Sequence, residues 1–281
     1  MLCKRFKPDI KLIEYIKEYM IIDLTFDDKT FVPPPKAYPV NPEEGIRFIL
    51  RGQLWSQDAE TNIVEERAPV TVFGQPNRRQ NLIITNNFTI FHVRFQPGGL
   101  FKLLKIPMTE MLHKNYEAEL VMGKEINEIQ EQLLYSSGYE QMIAVIDKYF
   151  QKKIGQLKPL GRPIDKIGRH ILENPQLFNL AKVAQQACLS HRQFEKRFEQ
   201  LVGVTPKYYA RICRFYQAYV MKEFNPELDW LSIAIQNGYS DYQHLVKDFK
   251  HFAGTTPNIL IKESLNNPER AFNTFHDFRG V

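Results

Sequence analysis

The stretch Leu180-Ala181-Lys182-Val183-Ala184-Gln185-Gln186-Ala187-Cys188-Leu189-Ser190-His191-Arg192-Gln193-Phe194-Glu195-Lys196-Arg197-Phe198 decides the fold of the C-terminal half. Leu180, Val183, Ala184 and Ala187 recur at helical spacing. The pattern breaks at Cys188-Leu189 and resumes at Phe194 and Phe198, behind Ser190. The same plan returns in Trp230-Leu231-Ser232-Ile233-Ala234, a Gly238-Tyr239-Ser240 turn, and Asp241-Tyr242-Gln243-His244-Leu245-Val246-Lys247-Asp248-Phe249. Val183 and Ala184 lie 50 positions before Ile233 and Ala234. After the turn the offset is 51, through Phe194/Leu245, Phe198/Phe249, Gly203/Gly254, Thr205/Thr256 and Pro206/Pro257. One extra turn residue explains the change. Two copies argue against a solenoid or propeller and for a pair of helix-turn-helix units.

Ser190 and Asp241 stand where a helix cap is needed, since their side-chain oxygens can accept from unpaired N–H groups of the first turn. Phe194 and Phe198, four apart, define an inward face, and Arg192, Glu195 and Lys196 lie opposite. In the second copy Leu245 and Phe249 face inward, while Tyr242, Gln243 and Lys247 face out. Such a helix can lie in a DNA major groove, where base edges carry a readable pattern of donors and acceptors. A solvated face is the plain alternative for one helix. It weakens for two repeated units with matched turns.

The pattern Leu189-Ser190-x-Arg192-Gln193-Phe194-x-x-x-Phe198-x-x-x-x-Gly203-x-Thr205-Pro206-x-x-Tyr209 resembles the AraC/XylS transcription regulators. So does Ile233-Ala234-x-x-x-Gly238-Tyr239-x-Asp241-x-x-x-Leu245-x-x-x-Phe249-Lys250-x-x-x-Gly254-x-Thr256-Pro257. The resemblance implies two helix-turn-helix subdomains joined by a linker helix over residues 206–224, each recognition helix reading one of two successive major-groove faces. It puts base contacts on Arg192, Glu195 and Lys196, then on Tyr242, Gln243, His244 and Lys247. Arg197, Arg211, Arg214 and Lys250 are the candidates for phosphate contacts, with a solvated face of the linker helix as the equal alternative for Arg211 and Arg214. Asn258-Ile259-Leu260 departs from the family's Tyr-Arg ending. The acidic Glu195 suits acceptance from cytosine N4.

The N-terminal half reads differently. A short helix is expected over Ile10–Lys17, capped by Asp9, and another beginning at Thr109-Glu110-Met111-Leu112. Pro33-Pro34-Pro35, Pro39 and Pro42 mark extended connectors. Strand signals cover residues 19–26, 46–52, 62–64, 70–74, 80–85 and 88–95, a spacing typical of a small barrel or sandwich. Pro42-Glu43-Glu44-Gly45-Ile46-Arg47-Phe48-Ile49, Phe95-Gln96-Pro97-Gly98-Gly99-Leu100-Phe101 and Leu104-x-Ile106-Pro107 resemble cupin-like sensor domains. A barrel of this size either holds a small ligand or is filled by its own side chains. His92 alone lies in a strand, and His113 falls outside, so no metal is expected. Helical stripes at 98–104, 124–134 and 139–154 either cover the barrel or form a dimer seam.

The fold expected is therefore α+β. An N-terminal sensor and dimerisation domain spans 1–157, with a β-barrel at 1–96 and helices at 97–157. An all-α DNA-binding domain spans 162–262, and a tail with Phe272, Phe275 and Phe278 follows at 263–281. Lys152–Pro163, with Gly155, Pro159, Gly161 and Pro163, is the boundary.

The net charge is +5; from Leu160 onward Lys and Arg number 16 against 12 Asp and Glu, the rest of the chain 21 against 20. The mild excess thus sits in the half expected to meet DNA. Three distant cysteines, Cys3, Cys188 and Cys213, fit a reducing compartment better than a disulfide framework. No apolar run of membrane length appears, and Met1-Leu2-Cys3-Lys4-Arg5-Phe6 is not of signal-peptide type.

The motifs of phosphate-binding loops, serine hydrolases and zinc proteases are absent, and Cys3 lacks the cysteine neighbours of an alkyl-accepting repair protein. The expectation is a cytoplasmic, nucleoid-associated regulator that is no enzyme and needs no cofactor. Its expected partners are double-stranded DNA, RNA polymerase, a small-molecule effector and a second copy in a homodimer. The rivals are an interaction protein whose N-terminal domain binds another protein, and a binder of DNA without sequence preference.

Overall fold

The computed structural model describes residues 2–155, 157 and 163–268. Its N-terminal half is built from two antiparallel sheets. The larger runs in the order β1 (Leu2–Phe6), β2 (Ile16–Thr25), β9 (Asn87–Phe95), β4 (Gly45–Arg51), β7 (Val70–Phe73) and β10 (Asn115–Glu117). The smaller runs β3 (Lys36–Tyr38), β8 (Gln80–Ile84), β5 (Leu54–Asp58) and β6 (Val64–Glu66). Strand side chains alternate between faces. On β9, Phe88, Ile90, His92 and Arg94 point into the space between the sheets. Phe91, Val93 and Phe95 point the other way, into a core with α3 (Glu125–Leu134) and α4 (Tyr139–Ile154). Ile126, Leu133, Ile146 and Phe150 supply the helical side of that core. The stripes at 124–134 and 139–154 therefore cover the sheet.

Two expected helices do not form. Over residues 10–15 the chain makes turns instead: the Asp9 carboxylate accepts from Lys11 N–H at 2.8 Å, and its carbonyl from Leu12 N–H at 2.8 Å. Pairing of β2 with β9 then claims the chain from Ile16 onward. Residues 109–113 also turn, and His113 at φ 56° ends them in the left-handed region. The chain continues from there into β10 and α2 (Ala118–Met122). Strands β1, β3, β5 and β10 have no counterpart among the strand signals of the sequence.

Glu43-Glu44-Gly45 and Pro97-Gly98-Gly99 meet in space. The Glu44 carboxylate accepts from the N–H groups of Gly98 and Leu100, both at 3.1 Å, at the start of α1 (Gly99–Leu104). Burial lifts that carboxyl to about 8, against the opposing pull of the two N–H donors.

The C-terminal half is helical. It comprises α5 (Ile164–Glu173), a single 3-10 turn at Pro175–Leu177, α6 (Leu180–Gln186), α7 (His191–Val202), α8 (Pro206–Phe224), α9 (Trp230–Gln236), α10 (Tyr242–Ala253) and α11 (Pro257–Ser264). The sequence repeat is a structural one. Leu189 N–H donates to Ala184 O at 3.1 Å, and Tyr239 N–H to Ala234 O at 2.9 Å. Gly203 and Gly254, both left-handed, end α7 and α10. Asn258, at the family's altered ending, accepts from Trp230 Nε1 at 2.6 Å and so ties α11 to α9. Residues 158–162 of the expected boundary, and Phe272, Phe275 and Phe278 of the tail, lie outside the described residues. Among the described residues no helix is long and apolar enough to cross a membrane.

Both helix-turn-helix units rest on the N-terminal half. The first is held by Met108 N–H donating to Gln200 O at 2.9 Å and by Lys102–Asp165 at 2.8 Å. Gly203 lies so close that a Cβ there would stand 2.8 Å from Met108 O. The second is held by Val40 N–H donating to Phe252 O at 3.1 Å, with Ala37 and Val40 inside its apolar core. Arg79 adds a bond to Ala253 O at 3.1 Å and an ion pair to Glu263 at 2.9 Å.

The two turns differ in one respect. Gly238 has φ 74°, and Cys188, its counterpart, has φ 54° with a side chain to carry. The left-handed conformation costs a residue with a Cβ about 1–2 kcal/mol, part of which glycine loses again through unfolded-state entropy. Cys188→Gly is expected to raise stability by about 0.5–1 kcal/mol in urea denaturation; a loss of stability would show that the thiol has a packing role.

Candidate functional site

The two recognition helices are displayed in equivalent ways. The Ser190 hydroxyl accepts from Gln193 N–H at 3.3 Å, and the Gln193 side chain accepts from Ser190 N–H at 3.3 Å, closing a reciprocal cap. The Asp241 carboxylate accepts from His244 N–H at 2.7 Å. Behind the caps Phe194 and Phe198, and Leu245 and Phe249, are fully buried. On the outer faces Arg192, Lys196 and Arg197 are exposed and Glu195 is half-buried. On α10 Gln243, Lys247 and Lys250 are exposed, while Tyr242 and His244 are half-buried. His244 is held to its own turn, with Nδ1 3.3 Å from Ser240 Oγ and the ring 5.3 Å from Tyr239. Among the described residues none of Arg192, Lys196, Lys247 and Lys250 has an ion-pair partner, so their charges face solvent.

Arg211 and Arg214 are placed differently from the phosphate contacts expected of them. Asp248 is 1% exposed. It accepts from Arg211 Nη2 at 2.7 Å, Arg211 Nε at 3.2 Å and the Tyr239 hydroxyl at 3.1 Å. Arg214 donates to Gly238 O at 3.3 Å and lies 5.0 Å from the Tyr239 ring centre. Both arginines of α8 thus grip the turn and recognition helix of the second unit. Burial and the nearby Asp248 charge push the Tyr239 phenol up, which keeps it a donor. The one trace of this latch in the sequence is an acid, Asp248, on the inward side between Leu245 and Phe249, which apolar periodicity alone does not single out.

A cavity of about 150 Å³ lies between the two sheets. Strand register gives it a polarity. Leu24 pairs with Phe88 and Ile22 with Ile90, with Ile49 on the other side of Ile90. The next layer is Met20, His92 and Arg47, and beyond it Glu18 faces Arg94. Leu54, Leu82 and Ile84 of the smaller sheet close the apolar end. At the other end Arg94 contacts Glu43 at 3.1 Å and Glu18 at 2.5 Å, and Arg47 contacts Glu43 at 3.4 Å. The Tyr38 hydroxyl donates to Glu43. Burial alone would raise the Glu43 carboxyl, but the guanidiniums outweigh it and hold it at about 2. Burial pulls His92 down to about 3, so its imidazole is neutral. Tyr216, from α8, lines the same cavity. A second, more open cavity of about 630 Å³ lies between α8 and the larger sheet and shares Arg94 and Tyr216 with the first. Among the described residues no three His, Cys, Asp or Glu side chains cluster to hold a metal ion.

Residues 183–262 match a family described as a helix-turn-helix domain. The C-terminal unit is an AraC-type helix-turn-helix domain. Residues 4–117 match a domain of unknown function, DUF6597. No curated protein matches the chain. Among solved structures, ToxT of Vibrio cholerae is similar at 11% identity and a TM-score of 0.49, over 87% of this chain and 98% of that one. ToxT crystallised with an unsaturated fatty acid bound is similar at 14% identity and 0.46, over 86% and 94%. The DNA-binding domain of AdpA in complex with a target DNA is similar at 23% identity and 0.35, over 37% and 95%. The chain thus carries a DNA-binding domain of the helix-turn-helix type at residues 183–262.

In this AraC-type domain the latch on Asp248 sets the angle of α10 on α8. Arg211→Ala leaves Asp248 buried with Tyr239 as its remaining donor. The expected loss is about 1–3 kcal/mol, discounted because the arginine is partly exposed. Urea denaturation measures it, and a change within about 0.5 kcal/mol would remove the latch from the account.

Proposed function

We propose that the chain is a sequence-specific transcription regulator. Its α7 and α10 enter two successive major-groove faces of double-stranded DNA, and its barrel cavity takes a small effector. One observation carries the reading: two capped helices at equivalent places in a repeat, each burying one face and leaving a polar face free. Arg192, Glu195 and Lys196 read bases from α7. Tyr242, Gln243, His244 and Lys247 read them from α10. Arginine pairs with guanine O6 and N7, glutamine with adenine, and a carboxylate with cytosine N4. Arg197 and Lys250 serve phosphates. Two copies in a homodimer would present four such helices, and RNA polymerase is the protein partner that the family resemblance implies. A cavity with an apolar end and a charged end favours a small effector over a protein as the occupant.

Selection of bound DNA from a random pool tests this. The expected product has two short elements about one helical turn apart; recovery of no motif, with and without effector candidates, would overturn it. Arg192→Ala is expected to relax discrimination at particular base pairs by about tenfold to a hundredfold. Lys250→Ala is expected to weaken binding evenly across sequences and to reduce the salt slope by about 1. A uniform loss with Arg192→Ala would move that residue to the phosphate group.

A further inference from the structure

The second helix-turn-helix unit delivers the chain to the cavity between the sheets. Ser264, the last residue of α11, is fully buried, and its hydroxyl donates to Glu223 of α8. Asn267 is 4% exposed, and Pro268, also buried, lines the cavity together with Tyr216. The sequence then continues Glu269-Arg270-Ala271-Phe272-Asn273-Thr274-Phe275-His276-Asp277-Phe278. Two features of the cavity suit a peptide segment with an aromatic side chain. Ile22, Leu24, Leu54, Leu82, Phe88 and Ile90 line its apolar end, and its volume of about 150 Å³ matches a cavity that accepts one benzene ring. Beside that space stand acceptors without a donor: Asn41 Oδ1, on the cavity wall, and Asn267 Oδ1, one residue before Pro268. A buried acceptor left unpaired is costly, and a polypeptide brings an N–H at each residue other than proline. A small apolar molecule would fill the ring site and leave both oxygens as they are.

We infer that the C-terminal segment plugs this cavity in its own chain, with the ring of Phe272 seated at the apolar end. The reach agrees. Phe272 stands four residues beyond Pro268, at most about 14 Å of extended chain. From Arg94, at the charged end, to Ile90, at the apolar end, is also four residues of β9, about 14 Å. The segment leaves from α11 and the cavity belongs to the sheets, so a seated ring ties the second unit to the N-terminal half alongside the bonds of Val40 and Arg79. The plug needs no effector. Where the reading of the cavity as an effector site holds, the effector has to displace the ring, and its binding then loosens one tie between the two halves.

The test compares the full chain with Phe272→Ala and Phe278→Ala by thermal unfolding and by calorimetric titration with benzene. The full chain is expected to take up no benzene. Phe272→Ala is expected to unfold about 2–4 °C lower, to bind benzene saturably, and to regain the lost unfolding temperature on doing so. Phe278→Ala is expected to match the full chain in both respects. Leu82→Phe added to Phe272→Ala fills the apolar end and is expected to abolish benzene binding. Equal unfolding temperatures for Phe272→Ala and the full chain, or equal benzene binding, overturn the inference. So does benzene binding that survives Leu82→Phe, which would put the vacated space elsewhere. Whose segment fills the cavity is read from Phe272→Cys with Leu82→Cys in a Cys188→Ser background. Oxidation is expected to give a cross-link within one chain; a cross-link between two chains would assign the plug to a second copy and overturn the inference. None of these measurements involves DNA or an effector, so their failure leaves the regulator reading as it stands, and specific DNA binding tests that reading separately.

Discussion

Arg94 is a buried cation, and much of the molecule is arranged to make that tolerable. A charge removed from water is stable only when paired and hydrogen-bonded. Glu18 of β2 lies 2.5 Å from its guanidinium and Glu43, ahead of β4, lies 3.1 Å away. Two separate parts of the chain are therefore drawn to one strand. Glu43 in turn orders Arg47 and Tyr38, so the charged end of the cavity is a single network. Its members are coupled, and the loss of one would be felt by all.

The same residue stands at the meeting of the two halves. Arg94 and Tyr216 line both the cavity between the sheets and the more open one beside α8. The helix-turn-helix units are bonded to the N-terminal half, the first through Met108 and the second through Val40 and Arg79. The relative placement of α7 and α10 is consequently a property of the whole molecule. Within the second unit, Arg211 and Arg214 grip the turn and α10, so the angle of that helix is referred to α8 and through α8 to Arg94.

Much is legible in the amino-acid order. The linker helix that the family resemblance implies over residues 206–224 is α8, with those bounds. The helix at 139–154 is legible as well. In each case a long apolar periodicity, a cap or a proline marks the element, and these are local signals. The short strands β1, β3, β5 and β10 escape such a reading because three to five residues are too few to show a period. The helix expected at Ile10–Lys17 fails for the opposite reason. A helical spacing is present, but β9 offers β2 a ladder, and tertiary pairing overrides the local preference.

The sequence by itself determined the repeat, the caps and the inward faces of both recognition helices, because each depends on residues within a turn or two of one another. It also carried the α+β division between a strand-rich and a helical half. Only the tertiary structure decided that Arg211 and Arg214 face the protein, that the barrel keeps a cavity with one charged end, and that Tyr216 reaches it. Those facts rest on contacts between residues tens to hundreds of positions apart, such as Arg211 with Asp248 and Arg94 with Glu18. Charge pairing of that kind leaves no periodic trace in a sequence, since any acid brought within reach can satisfy the cation.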